Sequence, residues 1–223
     1  MKKFFYSLIA IPFLLSSCGG SQKNNNNNNN SGNDPVPPAT DIATLDEKAK
    51  VLQGCKNMTA TMELMEAPEG ANYVIEQRQL ENITYAEQAV YQNATFRTYL
   101  LYEYEPATDK LFCYRSSDKV TWNSQEITGQ SKETYIQQMM SNPMGDTLYS
   151  LYAQATINEK GKTYHYEINE SNMTGVFDYL FTLEKGELVI SIRSDMTYSG
   201  NSHSVSEQKI FNFNKTVIDF NYK

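Results

Sequence analysis

Val176-Phe177-Asp178-Tyr179-Leu180-Phe181-Thr182-Leu183, then Glu184-Lys185-Gly186, then Glu187-Leu188-Val189-Ile190-Ser191-Ile192, is the stretch that decides the fold of this chain. Phe177, Tyr179, Phe181 and Leu183 recur at every second position, the period of a strand with one covered face. Lys185-Gly186 is a tight-turn signal, so the run from Glu187 to Met196 must come back antiparallel to the first. Working outward, strands are expected at Ala155 to Ile157, Thr163 to Ile168, His203 to Phe213 and Thr216 to Asn221. Lys160-Gly161, Gly175 and Ser199-Gly200-Asn201 punctuate them. Short connections of this kind build a meander whose sheet covers one face and leaves the other wet.

Upstream the same logic holds with more interruptions. Met58, Ala60, Met62 and Leu64 alternate with Thr59, Thr61 and Glu63 before a turn at Ala67-Pro68-Glu69-Gly70, and Asn72 to Glu81 returns along them. Thr95 to Glu105 is aromatic and β-branched, and Pro106-Ala107-Thr108-Asp109 turns it into Leu111 to Arg115. Ser116-Ser117-Asp118-Lys119 turns again into Val120-Thr121-Trp122. Three helical patterns interleave. Ile42, Leu45, Ala49 and Leu52 share a face, with Thr44-Leu45-Asp46-Glu47 as a capping box and Gly54 as a stop. Ser131 caps a second helix that carries Tyr135, Ile136, Met139 and Met140 and ends before Pro143. Asp146 to Ala155 places Leu148, Leu151 and Tyr152 at helical spacing. The expected fold is mainly β with a few helices (α+β): one curved antiparallel sheet, or an unclosed half-barrel, wrapped over one to three helices.

The first 40 residues read differently. Lys2 and Lys3 precede an apolar run from Phe4 to Leu15, too short for the roughly 20 residues that a spanning helix needs. Leu15-Ser16-Ser17-Cys18 follows, and the whole has the layout of an export signal. It resembles a bacterial lipobox. That resemblance implies cleavage of residues 1–17 and diacylation of Cys18 by palmitate-class chains, a two-chain membrane anchor that holds stably where one chain does not. The expected location is the cell envelope, lipid-anchored on the outer side of the cytoplasmic membrane or on an outer membrane. Residues 18–40 then hold seven consecutive asparagines, Asn24 to Asn30, and Asp34-Pro35-Val36-Pro37-Pro38. No core can form from these, so the stretch is a tether, spanning on the order of 25 Å as a flexible coil. Residues 41–223 are long enough for one domain with its own core.

Charge excludes some partners. The full chain carries −7, and losing Lys2 and Lys3, the only charged residues among the first 17, makes it −9. An acidic domain is a poor match for nucleic acid or for anionic lipid headgroups. Beyond Cys18, Cys55 and Cys113 remain, with two readings side by side. A disulfide between them would contribute about 4 kcal/mol in the chain-entropy model, or both are unpaired thiols. Neither has a close second Cys or His, so no metal is expected.

Catalytic constellations are missing from the sequence. The only two histidines, His165 and His203, have no triad or metal partner nearby in the chain, and no phosphate loop, dinucleotide fingerprint or nucleophile elbow occurs. Ser116-Ser117-Asp118-Lys119 matches serine-x-x-lysine formally, but that chemistry needs a helix start and this is a strand-to-strand turn. No enzyme and no cofactor is expected. The order of elements (leading helix, paired strands, a hairpin closing on the lone Trp in Lys119-Val120-Thr121-Trp122, helical insertion, terminal meander) resembles the LolA/LprG/LppX-like lipoprotein-carrier superfamily. That resemblance implies an unclosed barrel with an acyl chain in a hydrophobic groove. The candidate groove residues are Tyr135, Ile136, Met139, Met140, Leu148 and Leu151. The expected function is a non-catalytic lipoprotein that binds an apolar or acylated ligand between sheet and helices. The alternative is a surface interaction module for protein or glycan, using tyrosines such as Tyr99, Tyr102 and Tyr104 over a packed interior.

Overall fold

A computed structural model describes residues 41–66, 73–90, 96–128, 144–198 and 202–223. All eleven of its strands belong to one sheet, ordered β6-β5-β4-β3-β2-β1-β11-β10-β9-β8-β7. The strands are β1 Met58–Glu66, β2 Tyr73–Leu80, β3 Ile83–Val90, β4 Phe96–Glu105, β5 Lys110–Ser116, β6 Asn123–Ile127, β7 Thr156–Asn158, β8 Gly161–Glu170, β9 Met173–Glu184, β10 Glu187–Tyr198 and β11 Ser202–Phe211. Every neighbouring pair is antiparallel. The chain starts at the centre, walks outward to β6, passes to the opposite edge and walks back until β11 meets β1. The sheet is open: β6 and β7 are its edges. Both edges are short, and β6 (Asn-Ser-Gln-Glu-Ile) is mostly polar and exposed, which discourages further strand pairing.

Among the described residues, two helices accompany the sheet. Helix α1, Ile42–Ala49, continues into a 3₁₀ turn at Lys50–Leu52, and α2 is Met144–Gln154. The N-cap of α1 is Asp41, whose carboxylate accepts from the Ala43 amide at 3.2 Å. This corrects the Thr44 capping box: Thr44 lies within the first turn and donates its hydroxyl to Asp41 at 2.5 Å. Gly54 turns the chain out of the helical segment at φ +68°, where a side chain would be strained. The amide of Gly145 donates to the Cys55 carbonyl at 3.1 Å, and a Cβ there would lie 2.3 Å from the Leu52 carbonyl oxygen. Only glycine lets α2 come this close to the turn after α1.

Directly paired residues point to the same side of a sheet, so the register sorts side chains into two faces. Met58, Ala60, Ile210, Ile190, Phe181, Ile192 and Tyr179 fall on one face. These residues, with Leu45, Ala49, Leu52, Leu148, Leu151 and Tyr152 of the helical segments, form the main core. Tyr85, Leu101, Tyr114, Tyr99 and Ser116 fall on the other face, together with Arg78, Glu87 and Glu103. There the cover is not a helix. It is a strap, residues 212–223, which leaves β11 and forms no strand.

The strap corrects the expected strand at Thr216 to Asn221. Asn212 and Asn214 adopt φ of 55° and 58°, turning the chain off the sheet in a conformation that asparagine tolerates better than most residues. The strap then crosses from β1 towards β5. It bends at Phe220 on the way. Val120-Thr121-Trp122 is likewise not a strand: it belongs to the bend between β5 and β6, and pairing resumes at Asn123. The expected turn at Ala67 to Gly70 and the helix from Ser131 to Met140 lie outside the described residues.

Candidate functional site

Two clusters of polar and aromatic side chains stand out, one on each face. Asp46 of α1 receives hydrogen bonds from the Tyr152 hydroxyl of α2 and from Lys162 of β8, the latter at 2.5 Å. Lys162 also sits 4.4 Å from the centre of the Tyr152 ring. Hydrogen bonds from Lys162 and then Tyr152 lower the Asp46 carboxyl, while burial and Asp46 together raise the Tyr152 hydroxyl. A protonated tyrosine locked to a carboxylate is a clamp joining both helices to the sheet, with no poised base or nucleophile.

The second cluster lies under the strap. Tyr85 is fully buried, and its hydroxyl donates to Glu87 at 3.1 Å. Lys119 reaches the same carboxylate at 3.2 Å, with its ammonium 5.3 Å and 4.6 Å from the Tyr85 and Tyr99 ring centres. The Arg78 guanidinium lies 5.6 Å from the Tyr85 ring. Burial and Glu87 push the Tyr85 hydroxyl strongly up, so it stays a donor. Onto this floor the strap sets four of its last five side chains. Phe220 packs 4.9 Å from Tyr85 and stacks on Trp122 at 5.0 Å and 13°; Tyr222 meets Tyr114 edge-on at 5.0 Å. Asp219 pairs with Arg78 at 2.6 Å, and Lys223 reaches Glu103 at 2.9 Å and Glu105 at 3.5 Å. The root of the strap is held by amide chemistry: Asn57 accepts from the Thr216 amide at 2.7 Å and donates to its carbonyl at 2.9 Å.

The serine-x-x-lysine match dissolves in this geometry. Ser116 Oγ accepts from the Asp118 and Lys119 amides at 3.2 Å and 2.9 Å and donates to Asp118 at 2.9 Å, while the Lys119 ammonium goes to Glu87. Asp118 in turn accepts from the Val120 and Thr121 amides, both at 2.8 Å, which hold its carboxyl at about 2. These contacts build a turn.

Of the sequence-predicted groove residues, Leu148 and Leu151 are 0 % and 2 % exposed in the helix–sheet core. They fill space there and do not line a groove. Tyr135, Ile136, Met139 and Met140, like Cys18, lie outside the described residues. The expected tyrosine surface is also redistributed. Tyr99 faces the strap and is buried, whereas the register puts Tyr102 and Tyr104 on the opposite face. Cys55 and Cys113 are both free, which corrects the disulfide alternative. Cys55 precedes β1 and Cys113 sits on β5, four strands away, or about 19 Å against the less than 7 Å that a bridge allows. Burial raises both thiols, so neither is an activated nucleophile.

The histidines are surface groups. His165 contacts Asp178 at 2.6 Å and Glu167 at 3.3 Å, and these hydrogen bonds raise its pKa; His203 contacts Asp195 at 2.8 Å. Among the described residues no group of three or more His, Cys, Asp or Glu side chains could hold a metal, and no helix is long and apolar enough to cross a membrane. A cleft of about 220 Å³ opens between α1, β10 and the strap root, lined by Val51, Leu188 and Phe213. Its two lysines, Lys48 and Lys215, share Glu187 at 3.7 Å and 2.9 Å, so their charge is already answered. The strap groove escaped sequence reading because its floor comes from β2, β3, β4 and β5 and the bend before β6. Its signal was the alternation Ile218, Phe220, Tyr222, which reads equally as a strand. No protein-family model matches this chain, and no curated protein matches it either.

Proposed function

We propose that this chain is a lipid-tethered, non-catalytic interaction module of the cell envelope, anchored through Cys18 and working through its surface on a protein or glycan partner. The reading is carried by one observation, the filled seam between sheet and helices. Leu45, Leu52, Leu148, Phe181 and Ile190 are each 0 % exposed, and an acyl chain laid between α1, α2 and the sheet would have to displace them. The unclosed half-barrel form of the lipoprotein-carrier resemblance belongs to this proposal as its architecture, with the barrel interior packed.

The apolar-ligand reading keeps one observation in its favour. Leu100, Tyr102 and Cys113 on β4 and β5 are only half-buried on the helix-bearing face, away from α1 and α2.

Native mass spectrometry of the purified protein, followed by solvent extraction, separates the two readings. The module is expected to be lipid-free and to take up no fluorescent fatty acid. A stoichiometric co-purifying lipid would overturn it. The anchor is tested on its own by metabolic labelling with a palmitate analogue, which should label the wild type and not Cys18→Ala.

A further inference from the structure

The strap differs from the rest of the sheet in how it is held. It makes no ladder: residues 217–223 form no strand, and side chains fasten them. Its pattern is legible as that of a ligand. An acid (Asp219) meets Arg78, an aromatic (Phe220) enters between Tyr85 and Trp122, and a second aromatic two residues on (Tyr222) meets Tyr114. A base (Lys223) then meets Glu103 and Glu105. The floor is far better buried than its cover. Tyr85 and Leu101 are 0 % exposed, whereas Phe220 and Tyr222 are half-buried and Val217 is 65 % exposed. Aromatic side chains received in separate pockets and charges read at both ends are terms on which a sheet face accepts a peptide.

The fit is also incomplete. Trp122 Nε1 is shut away from solvent and has no hydrogen-bond partner, although Phe220 stacks on the indole. A buried N–H left unpaired is costly, and an occupant that offered it an acceptor would hold better. The strap therefore covers the groove without satisfying it.

We infer that the face formed by β2, β3, β4 and β5 is a peptide-accepting groove, and that residues 217–223 are its built-in, displaceable occupant. The partner it fits is a segment of another protein carrying acid, aromatic, any residue, aromatic, base, with a carbonyl or carboxylate acceptor brought to Trp122 Nε1. This inference rests on the interaction-module reading and names its surface. Lipid carriage would sink that reading whatever the groove does, whereas failure of peptide binding leaves the packed interior untouched.

Trp122 is the only tryptophan of the chain, so its emission reports whether the strap is seated. In the wild-type protein, urea should shift Trp122 emission to longer wavelength before the far-ultraviolet β signal is lost, because the strap leaves a sheet that is still folded. Coincident transitions would overturn the inference. The full chain carrying Phe220→Ala and Tyr222→Ala loosens the occupant in place. Titrated with a synthetic peptide of residues 217–223, it should show a saturable shift of Trp122 emission to shorter wavelength. The same peptide with both aromatics replaced by alanine should bind about tenfold more weakly or worse. A variant that keeps its sheet but binds no peptide, or one that loses the sheet altogether, would make the strap ordinary core and end the proposal. A concentration-dependent wild-type dimer in sedimentation, with straps exchanged between copies, would overturn the foreign partner in favour of a second copy.

Discussion

The two halves of the sheet are covered with different materials. The half formed by β8, β9, β10 and β11 buries Phe177, Tyr179, Phe181, Ile190 and Ile192 under two helices with aliphatic knobs. In the half running from β2 to β5, Tyr85, Tyr99, Leu101 and Tyr114 are buried on the other face, under a strap bearing two aromatic rings. Helices bring their own backbone hydrogen bonds, so they can cover a sheet using apolar contact alone. Residues 217–223 form no helix or strand. The strap must be fastened residue by residue, and Asn57, Arg78, Glu103 and Glu105 supply those fastenings. The lesson is that one continuous sheet carries one cover with its own backbone hydrogen bonds and another fastened by side chains.

Substitutions can test how unequal the covers are. The largest loss is expected in the helix-covered half. Phe181→Ala removes a fully buried ring that meets Tyr152 edge-on at 5.2 Å, at a cost of about 3–5 kcal/mol; urea denaturation followed by circular dichroism measures it. In the strap-covered half, Phe220→Ala should cost about 1–2 kcal/mol, since the ring is only half-buried, stacks on Trp122 and meets Tyr85 at a tilt. The same denaturation curves read it, and Trp122 emission should move to longer wavelength in the native protein. Equal losses at the two sites would erase the distinction.

The turn that feeds Lys119 into the strap groove is expected to respond to acid. The Asp118 carboxyl titrates at about 2 in the fold, held there by the Thr121 and Val120 amides, against about 3.9 when unfolded. A depressed folded pKa means that its contribution is fully present above about pH 4 and is lost as pH falls towards about 2. The difference in thermal midpoint between wild type and Asp118→Ala should therefore shrink across that window and stay constant above it. The smallest effect belongs to the uncovered side of the helix-backed half. Arg193 and Glu207 pair at 3.3 Å with both side chains more than half exposed, so Arg193→Ala should change stability by less than about 0.5 kcal/mol. A larger loss in a double-mutant cycle with Glu207→Ala would mean that this surface is structured more tightly than its exposure indicates.

Much of the helix-backed half was legible in sequence because its signals are local. Phe177, Tyr179, Phe181 and Leu183 announce β9 by period alone, Lys185-Gly186 announces the turn, and Leu148 and Leu151 announce the buried stripe of α2. β3 was not legible. Ile-Thr-Tyr-Ala-Glu-Gln-Ala-Val breaks alternation with two alanines, and its strand character comes from pairing on both sides with β2 and β4. Trp122 reads as a strand residue for the same reason, until the Asp118 turn is seen to consume the residues around it.

What the sequence determined by itself is what period, punctuation and composition can carry: an antiparallel β-rich domain with a leading helix, and an acidic charge. Only the tertiary structure decided what covers each face of the sheet. A period of two states that one face is covered and is silent about which one, or by what. Ile218, Phe220 and Tyr222 have strand period, yet they became a strap, because Asn212 and Asn214 turn the chain away after β11. Arg78, Tyr85 and Tyr114, on three different strands, then offer it more than another ladder could. Those three residues lie up to 36 positions apart in the chain, and no local pattern connects them; pairing across β2, β3, β4 and β5 does.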